Sequence, residues 1–263
     1  KVDFGRRHRI DFSRFLTKPE FNCVVRGPVD CFGWDFLTRR LAERKLDLKV
    51  AENLGLIGRS ERTGSYFDRF RGRLSFPIIQ PGGSVIGFSG RILPVHAEEN
   101  GADREAPKYI NSAESVRYSK SKTLFGLHTA SPSIRQRGRA ILVEGNVDVL
   151  SMHQKGFTET IAPLGTALTA PQLRILSRFT DTVLLCFDGD RAGRKAAREA
   201  IPLVLDADMD ARIVVLGDGL DPRAERLHLR CVEHDALGQR HIQPLHRIRG
   251  FASDADLAAL VLQ

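Results

Sequence analysis

Beyond residue 138 the chain alternates between short unbroken apolar runs and stretches with helical spacing, and that alternation sets the expected fold. Ala140-Ile141-Leu142-Val143 is continuously apolar, as in a strand covered on both faces. A helix follows to about Lys155, with Gly156 as its stop. A short strand is expected over 160–162, and Thr169 caps a helix running to about Phe179. The next buried strand covers 182–187. A helix from about Ala192 carries Ala196, Ala197 and Ala200, and Pro202 is expected to kink or end it. Residues 212–216 make the last strand. Strands alternating with helices predict an α/β unit with a largely parallel sheet and helices on both faces.

The preceding half is patterned differently. Phe36, Leu37, Leu41 and Leu46 recur at helical spacing and predict a helix over 34–46, with a second over 50–54 ending near Gly55. Residues 73–79 and 85–88 read as strands joined by the turn Pro81-Gly82-Gly83-Ser84, a hairpin. Residues 94–106 are polar and read as a surface loop. Residues 1–30 show no periodicity. After Asp221 the pattern fades: 223–248 is rich in His and Arg without assignable elements, and Ser253 caps a short helix reaching Leu262. The expected organisation is therefore α+β overall: an irregular segment (1–33), a smaller mixed α+β subdomain (34–137), the parallel-sheet domain (138–222) and a tail (223–263).

Charge narrows the partners. The 263 residues carry a net charge of +8, which favours anionic partners, nucleic acid first. No apolar run reaches the roughly 18 residues of a membrane helix, so no membrane partner is expected. The start, Lys1-Val2-Asp3-Phe4, lacks the shape of a signal peptide. Cys23, Cys31, Cys186 and Cys231 are scattered with no C-x-x-C pair, so no zinc site is visible and reduced thiols in the cytoplasm are expected.

Three acidic groups stand where buried strands end. They are Glu144-Gly145-Asn146-Val147-Asp148, Asp188-Gly189-Asp190 and Asp218-Gly219-Leu220-Asp221. The carboxyl ends of parallel strands form one edge, where ligand sites collect. Carboxylates gathered there raise one another's pKa unless a cation relieves them, and magnesium prefers such oxygen ligands while keeping waters that a phosphate can displace. Gly145 and Gly189 are expected to let the backbone turn tightly beside a ligand. Taken singly, each acid is equally a cap for the helix that follows.

At these residues the chain resembles a known family. Glu144-Gly145-Asn146-Val147-Asp148, Pro163-Leu164-Gly165-Thr166-Ala167-Leu168-Thr169 and Cys186-Phe187-Asp188-Gly189-Asp190-Arg191-Ala192-Gly193 are similar to the Toprim segment of bacterial replicative primases of the DnaG type. Upstream, Asp68-Arg69-Phe70-Arg71-Gly72-Arg73-Leu74-Ser75-Phe76-Pro77-Ile78, Val85-Ile86-Gly87-Phe88-Ser89-Gly90-Arg91 and Pro107-Lys108-Tyr109-Ile110-Asn111-Ser112 resemble the start of the primase catalytic core. Leu124-Phe125-Gly126-Leu127 resembles the helix leading into Toprim. The resemblance spans about 34–222. It implies a Toprim-like parallel sheet flanked by helices, with Glu144, Asp188 and Asp190 as carboxylates for Mg²⁺ or Mn²⁺, and Asp148 and Asp221 in the same catalytic cluster. It implies nucleotide contacts from Arg91, Lys108, Asn111 and Lys120, and a basic ridge toward nucleic acid from Arg69, Arg71 and Arg73. An extended chain would point those three arginines the same way, a positive stripe suited to phosphates.

The implied activity is that of a DNA-directed RNA polymerase making short RNA primers on single-stranded DNA from ribonucleoside triphosphates, in the bacterial cytoplasm at the nucleoid. The chain departs from the family in places. It shows no Cys/His set for the family's zinc-binding domain, and stops before the helical domain that contacts the replicative helicase. Asp221-Pro222-Arg223 stands where the family usually has Asp-Pro-Asp. Two alternatives stay open: a non-catalytic or degenerate nucleic-acid-binding relative, and another Toprim phosphotransfer enzyme such as a nuclease. A topoisomerase would need a nucleophilic Tyr in another domain, whereas Tyr66, Tyr109 and Tyr118 lie within or beside the primase-like stretches.

Overall fold

The computed structural model describes residues 24–25, 35–92, 107–165, 167–215, 230–234 and 240–244. The expected loop over 94–106, the Asp218–Asp221 motif and the expected helix after Ser253 lie outside them. The chain divides into two compact units, one comprising Lys1–Gln80 with Ser84–Ser119, the other Pro81–Gly83 with Lys120–Gln263.

In the first unit, α1 (Phe36–Glu43) stops three residues short of the expected end, because Lys45 adopts a left-handed φ of 55° and redirects the chain. Then α2 (Leu48–Asn53) begins two residues early, where the Asp47 carboxylate accepts from the Lys49 N–H at 2.8 Å. The first turn of α1 is satisfied from a distance: buried Asp68 accepts from the Leu37 and Thr38 N–H groups at 2.7 and 3.0 Å. Asp68 ends the short hairpin of β2 (Ile57–Arg59) and β3 (Tyr66–Asp68), which three-residue strands leave invisible to periodicity. An antiparallel sheet follows, in the order β1 (Val24–Val25), β4 (Arg73–Ile79), β5 (Val85–Ile92), β6 (Tyr109–Asn111). The expected hairpin is β4–β5, with β5 continuing to Ile92 because Arg91 and Gly90 pair with Tyr109 and Ile110 of β6. Leu74, Phe76, Ile78 and Tyr118 are buried in this unit.

The second unit holds the parallel sheet. Its order is β13 (Arg240–Pro244), β12 (Arg230–His234), β11 (Asp210–Val215), β10 (Thr182–Leu185), β8 (Ala140–Leu142), β9 (Thr160–Pro163), β7 (Leu124–Phe125). The central four, β11-β10-β8-β9, are parallel, and antiparallel strands flank them. The helices are α3 (Leu127–Arg137), α4 (Asn146–Gln154), α5 (Ala170–Leu176) and α6 (Arg191–Asp206).

Ile141, Leu142, Val183, Leu184 and Leu185 are fully buried, which is why these strands read as unbroken apolar runs. The helices bring Leu173, Leu176, Ala197, Ala200 and Val204 to the same core. Three expectations change. Leu124–Phe125 pairs with β9 as a strand, and the expected helix starts only at Leu127. Pro202 does not end α6, which runs on to Asp206; Pro202 is on the exposed side while Ala200 and Val204 are anchored in the core. The His/Arg-rich stretch supplies β12 and β13, antiparallel to each other.

Candidate active site

Two of the acidic motifs come together at the carboxyl edge of the parallel sheet. The ladder continues past the strand ends, with Cys186 N–H donating to the Leu142 carbonyl at 2.8 Å and Val143 N–H to that of Ile161 at 3.0 Å. Glu144 therefore emerges beside the loop after β10, and its Oε1 accepts from the Asp188 N–H at 3.0 Å. That bond ties the end of β8 to the end of β10. Glu144 and Asp190 are exposed and Asp188 is half-buried, so the cluster opens to solvent.

Asp190 caps α6, and Asp148, in the first turn of α4, bonds back to the N-cap Gly145. Asp190 Oδ1 accepts from Gly193 N–H at 2.8 Å and starts α6. Asp148 Oδ2 accepts from Gly145 N–H at 2.9 Å in the first turn of α4. The Cys186 thiol reports the neighbourhood: burial pushes its pKa up, and the carboxylates of Asp148 and Asp188 push the same way.

The expectation for Gly145 needs correcting: its backbone is extended (φ −141°) and makes no tight turn, although a Cβ there would lie 3.2 Å from Asp148 Oδ2. The crowded position is Gly193, which the motif reading passed over. A Cβ there would lie 2.2 Å from the Asp188 carbonyl oxygen and 2.7 Å from its nitrogen. The start of α6 packs directly on the backbone that presents Asp188. Beside Glu144, a cavity of about 380 Å³ opens along Pro163, Leu168, Phe187, Ala200 and Leu203.

Lys120 lies in a single 3₁₀ turn, Lys120–Lys122, held by α5. Buried Gln172 donates to the carbonyls of Lys120 and Thr123 at 2.9 and 2.8 Å, and Thr169 Oγ donates to that of Ser121 at 2.6 Å. Thr169 was legible as a cap. Gln172, three residues on, completes a capping box whose spacing was the available signal.

In the first unit Arg91 is buried on β5, where its guanidinium donates to the Tyr109 hydroxyl at 2.6 Å and lies over that ring. Lys108 is exposed, and Asn111 closes β6 opposite Ser89. The expected arginine stripe does not form, because residues 69–72 turn instead of extending. Arg69 is half-buried, with its N–H bonded to the Leu56 carbonyl. Arg71 stacks on Phe67 and donates to the Asp68 carbonyl at 3.0 Å. Arg73 is buried, donating to the carbonyls of Gly90 and Pro107 at 3.2 and 2.8 Å. Burial lowers the pKa of both Arg71 and Arg73.

Comparison with known proteins decides the family. Residues 29–131 match the model of the DNA primase catalytic core, N-terminal domain, and residues 141–225 match a Toprim-like model. The RNA polymerase domain of Mycobacterium tuberculosis primase DnaG superposes with a TM-score of 0.68 at 30% identity, over 84% of this chain and 69% of that one. The chain belongs to the DNA primase catalytic-core family. Among relatives of this primase-family chain, the DNA primase of Aquifex aeolicus is 45% identical over 186 residues, 71% of this chain and 35% of the relative. The DNA primase of Halalkalibacterium halodurans is 41% identical over 189 residues, 72% and 30% respectively. The chain thus spans about a third of the length of the curated relatives it matches. A DnaG catalytic domain solved with single-stranded DNA aligns with a TM-score of 0.67 at 32% identity, over 84% of this chain and 67% of that one.

The Toprim-like family implies a divalent metal. Among the described residues no three His, Cys, Asp or Glu side chains form a ready cage. A hard cation held by one or two carboxylates, with water and phosphate completing its shell, needs no such cage. Exposed oxygen donors on Glu144 and Asp190, with half-buried Asp188 bonded to Glu144 through its N–H, fit that kind of binding. Among the described residues no helix is long and apolar enough to cross a membrane.

Proposed function

We propose that this chain carries the catalytic centre for template-directed synthesis of short RNA primers on single-stranded DNA. The observation that carries the reading is the bond from Asp188 N–H to Glu144 Oε1, which brings two family motifs 44 residues apart to one sheet edge. In this reading Glu144, Asp188 and Asp190 hold Mg²⁺ or Mn²⁺, and Asp148 and Asp221 complete the acidic cluster. When bound, the metal lowers the pKa of the attacking 3′-hydroxyl and offsets charge on the triphosphate. Asp188 is held in place by its own N–H bond to Glu144 and by the start of α6 beneath it. Lys120, fixed through Gln172, serves the ribonucleotide within the second unit, and Arg91, Lys108 and Asn111 are taken, within the first unit, as its own nucleotide contacts. Arg69, Arg71 and Arg73 serve the nucleic-acid side, Arg73 by bracing backbone carbonyls rather than by touching phosphate. The site of action is replicating DNA in the bacterial cytoplasm.

The test is primer synthesis by the full chain on single-stranded DNA with ribonucleotides and Mg²⁺, against Glu144→Gln and Asp188→Asn. Both variants should lose at least about 100-fold in rate, the scale of removing a preorganised charge-stabilising group. Wild-type rates in Asp188→Asn would refute the assignment. Arg223, standing where the family has an acid, favours a second reading: a nucleic-acid-binding relative without turnover. Binding of template without synthesis by the wild-type chain would establish it instead.

A further inference from the structure

The first two turns of α6 carry a one-sign stripe that the proposed chemistry does not use. Arg191, Arg194, Lys195 and Arg198 are all exposed, while Gly193, Ala197, Ala200 and Val204 face the core. At 100° per residue the four cations fall within about one quarter of the helix circumference, opposite the buried side. Their position runs against helix electrostatics. The N-terminal end of a helix is its positive pole, where acids stabilise and cations do not. Here the first turn after Asp190 has no acidic residue. Local pairing does not account for Arg191, Lys195 and Arg198 either. Lys195 meets Glu199 only at 3.7 Å with both side chains largely exposed, and Arg191 and Arg198 have no partner among the described residues.

We propose that this face of α6 is a docking surface for the sugar–phosphate backbone of a paired nucleic acid, the RNA–DNA hybrid. This rests on the reading of the chain as a primer-synthesising enzyme. Charge selects a polyanion. From Arg191 to Arg198 the stripe runs about 10 Å along the helix, which, lying along a duplex axis, matches the rise of a few successive phosphates of one strand at about 3.4 Å of axis each. What the face lacks selects a duplex. Proteins that hold single strands combine positive charge with aromatic platforms on which bases stack. The exposed positions of α6 are Arg191, Ala192, Arg194, Lys195, Arg198, Glu199, Pro202, Leu205 and Asp206, none of them aromatic. A backbone whose bases are already stacked inward matches such a face.

The experiment is fluorescence anisotropy of the full chain with a labelled RNA–DNA hybrid and, separately, the single DNA strand. It is run across a salt series without nucleotide or divalent metal. Each lost duplex phosphate contact lowers the slope of log K against log salt by about 0.9, so Arg191→Gln with Arg198→Gln should lower the hybrid slope by about 1.8 and leave the single-strand slope unchanged. The Arg191→Lys, Arg198→Lys pair keeps charge and should keep the wild-type slope, which also shows that the positions tolerate change. An unchanged hybrid slope in the Gln pair overturns the proposal, as does an equal loss on the single strand. Glu144→Gln separates the two readings. It should lose primer synthesis yet bind the hybrid with the wild-type slope, and if it keeps synthesis the catalytic reading fails while the stripe stands on its own slopes.

Discussion

Replacing Gly193 with Ala tests whether the start of α6 is built against the backbone of Asp188. Two effects oppose. Ala is a better helix former than Gly, a gain of about 1 kcal/mol. Against it, the new Cβ would sit 2.2 Å from the Asp188 carbonyl oxygen, nearly an ångström inside the closest approach a Cβ tolerates, with Asp188 N and C also within 2.9 Å. The three nearest atoms are all backbone, which cannot yield as the end of a flexible side chain would. Overpacking of this kind costs about 3 kcal/mol. Moving the segment also loosens the Asp190 cap on Gly193 N–H, worth about 1 kcal/mol. The net expectation is a loss of about 3 kcal/mol, read as a lower urea midpoint with an unchanged m-value. The displaced Asp188 can no longer hold its bond to Glu144, so primer synthesis should fall further than the fraction unfolded explains. A Gly193→Ala chain as stable as wild type, or more so, would refute this account of the motif's last glycine.

Two further substitutions probe buried polar groups. Glu159 is fully buried and bridges Arg137 at 2.6 Å and the equally buried Arg139 at 3.2 Å. Glu159→Gln leaves Arg139 without its counter-charge and should cost about 3 kcal/mol in urea unfolding; a change under 1 kcal/mol would show that Arg139 reaches water. Tyr118 is fully buried and its hydroxyl has no hydrogen-bond partner among the described residues, so Tyr118→Phe should stabilise the protein by about 1 kcal/mol. Burial, then the nearby Glu114 carboxylate, raise the Tyr118 pKa, so above about pH 10 the unfolded chain loses a phenol proton that the fold retains. Its contribution is thus full below pH 10 and lost as pH rises beyond it. Urea midpoints from pH 8 to 11 should fall less steeply in Tyr118→Phe, and identical slopes would exclude the phenol as the cause.

The parallel sheet was legible because its strands are covered on both faces, so burial wrote itself into the chain as unbroken runs such as Ala140–Leu142. The first unit was less legible for two reasons. Its short pieces, β2, β3 and β6, hold three residues each, too few to show a period. Its helix boundaries depend on contacts distant in sequence: α1 starts where Asp68, about 30 residues away, accepts its N–H groups. The arginine stripe failed for a related reason. Alternation points side chains one way only in an extended chain, and Gly72, with φ 61°, closes a turn where extension was assumed. Of Arg69, Arg71 and Arg73 only the last lies in a strand, and there it serves the fold.

At the acidic edge, the competition between a capping role and a metal role dissolves once the atoms are named. A carboxylate has two oxygens and about four acceptor directions, and a helix cap uses one. Asp190 spends Oδ1 on Gly193 N–H, and Glu144 spends Oε1 on Asp188 N–H. Neither bond exhausts the group. Each fixes it, since a carboxylate held by a backbone N–H at a helix start or strand end cannot swing away when a cation arrives. The cap supplies the preorganisation that a metal site otherwise has to obtain from further side chains. Sequence reasoning weighed the two roles as rivals because it sees residue types and not oxygens. Under the proposed metal role the two are one arrangement for Asp190, and its consequence is that Asp190→Asn, which can keep the cap through its amide oxygen, should separate folding from activity: stability close to wild type, with weaker dependence of primer synthesis on added Mg²⁺. Loss of both together would show that the cap, not the charge, is what this position provides.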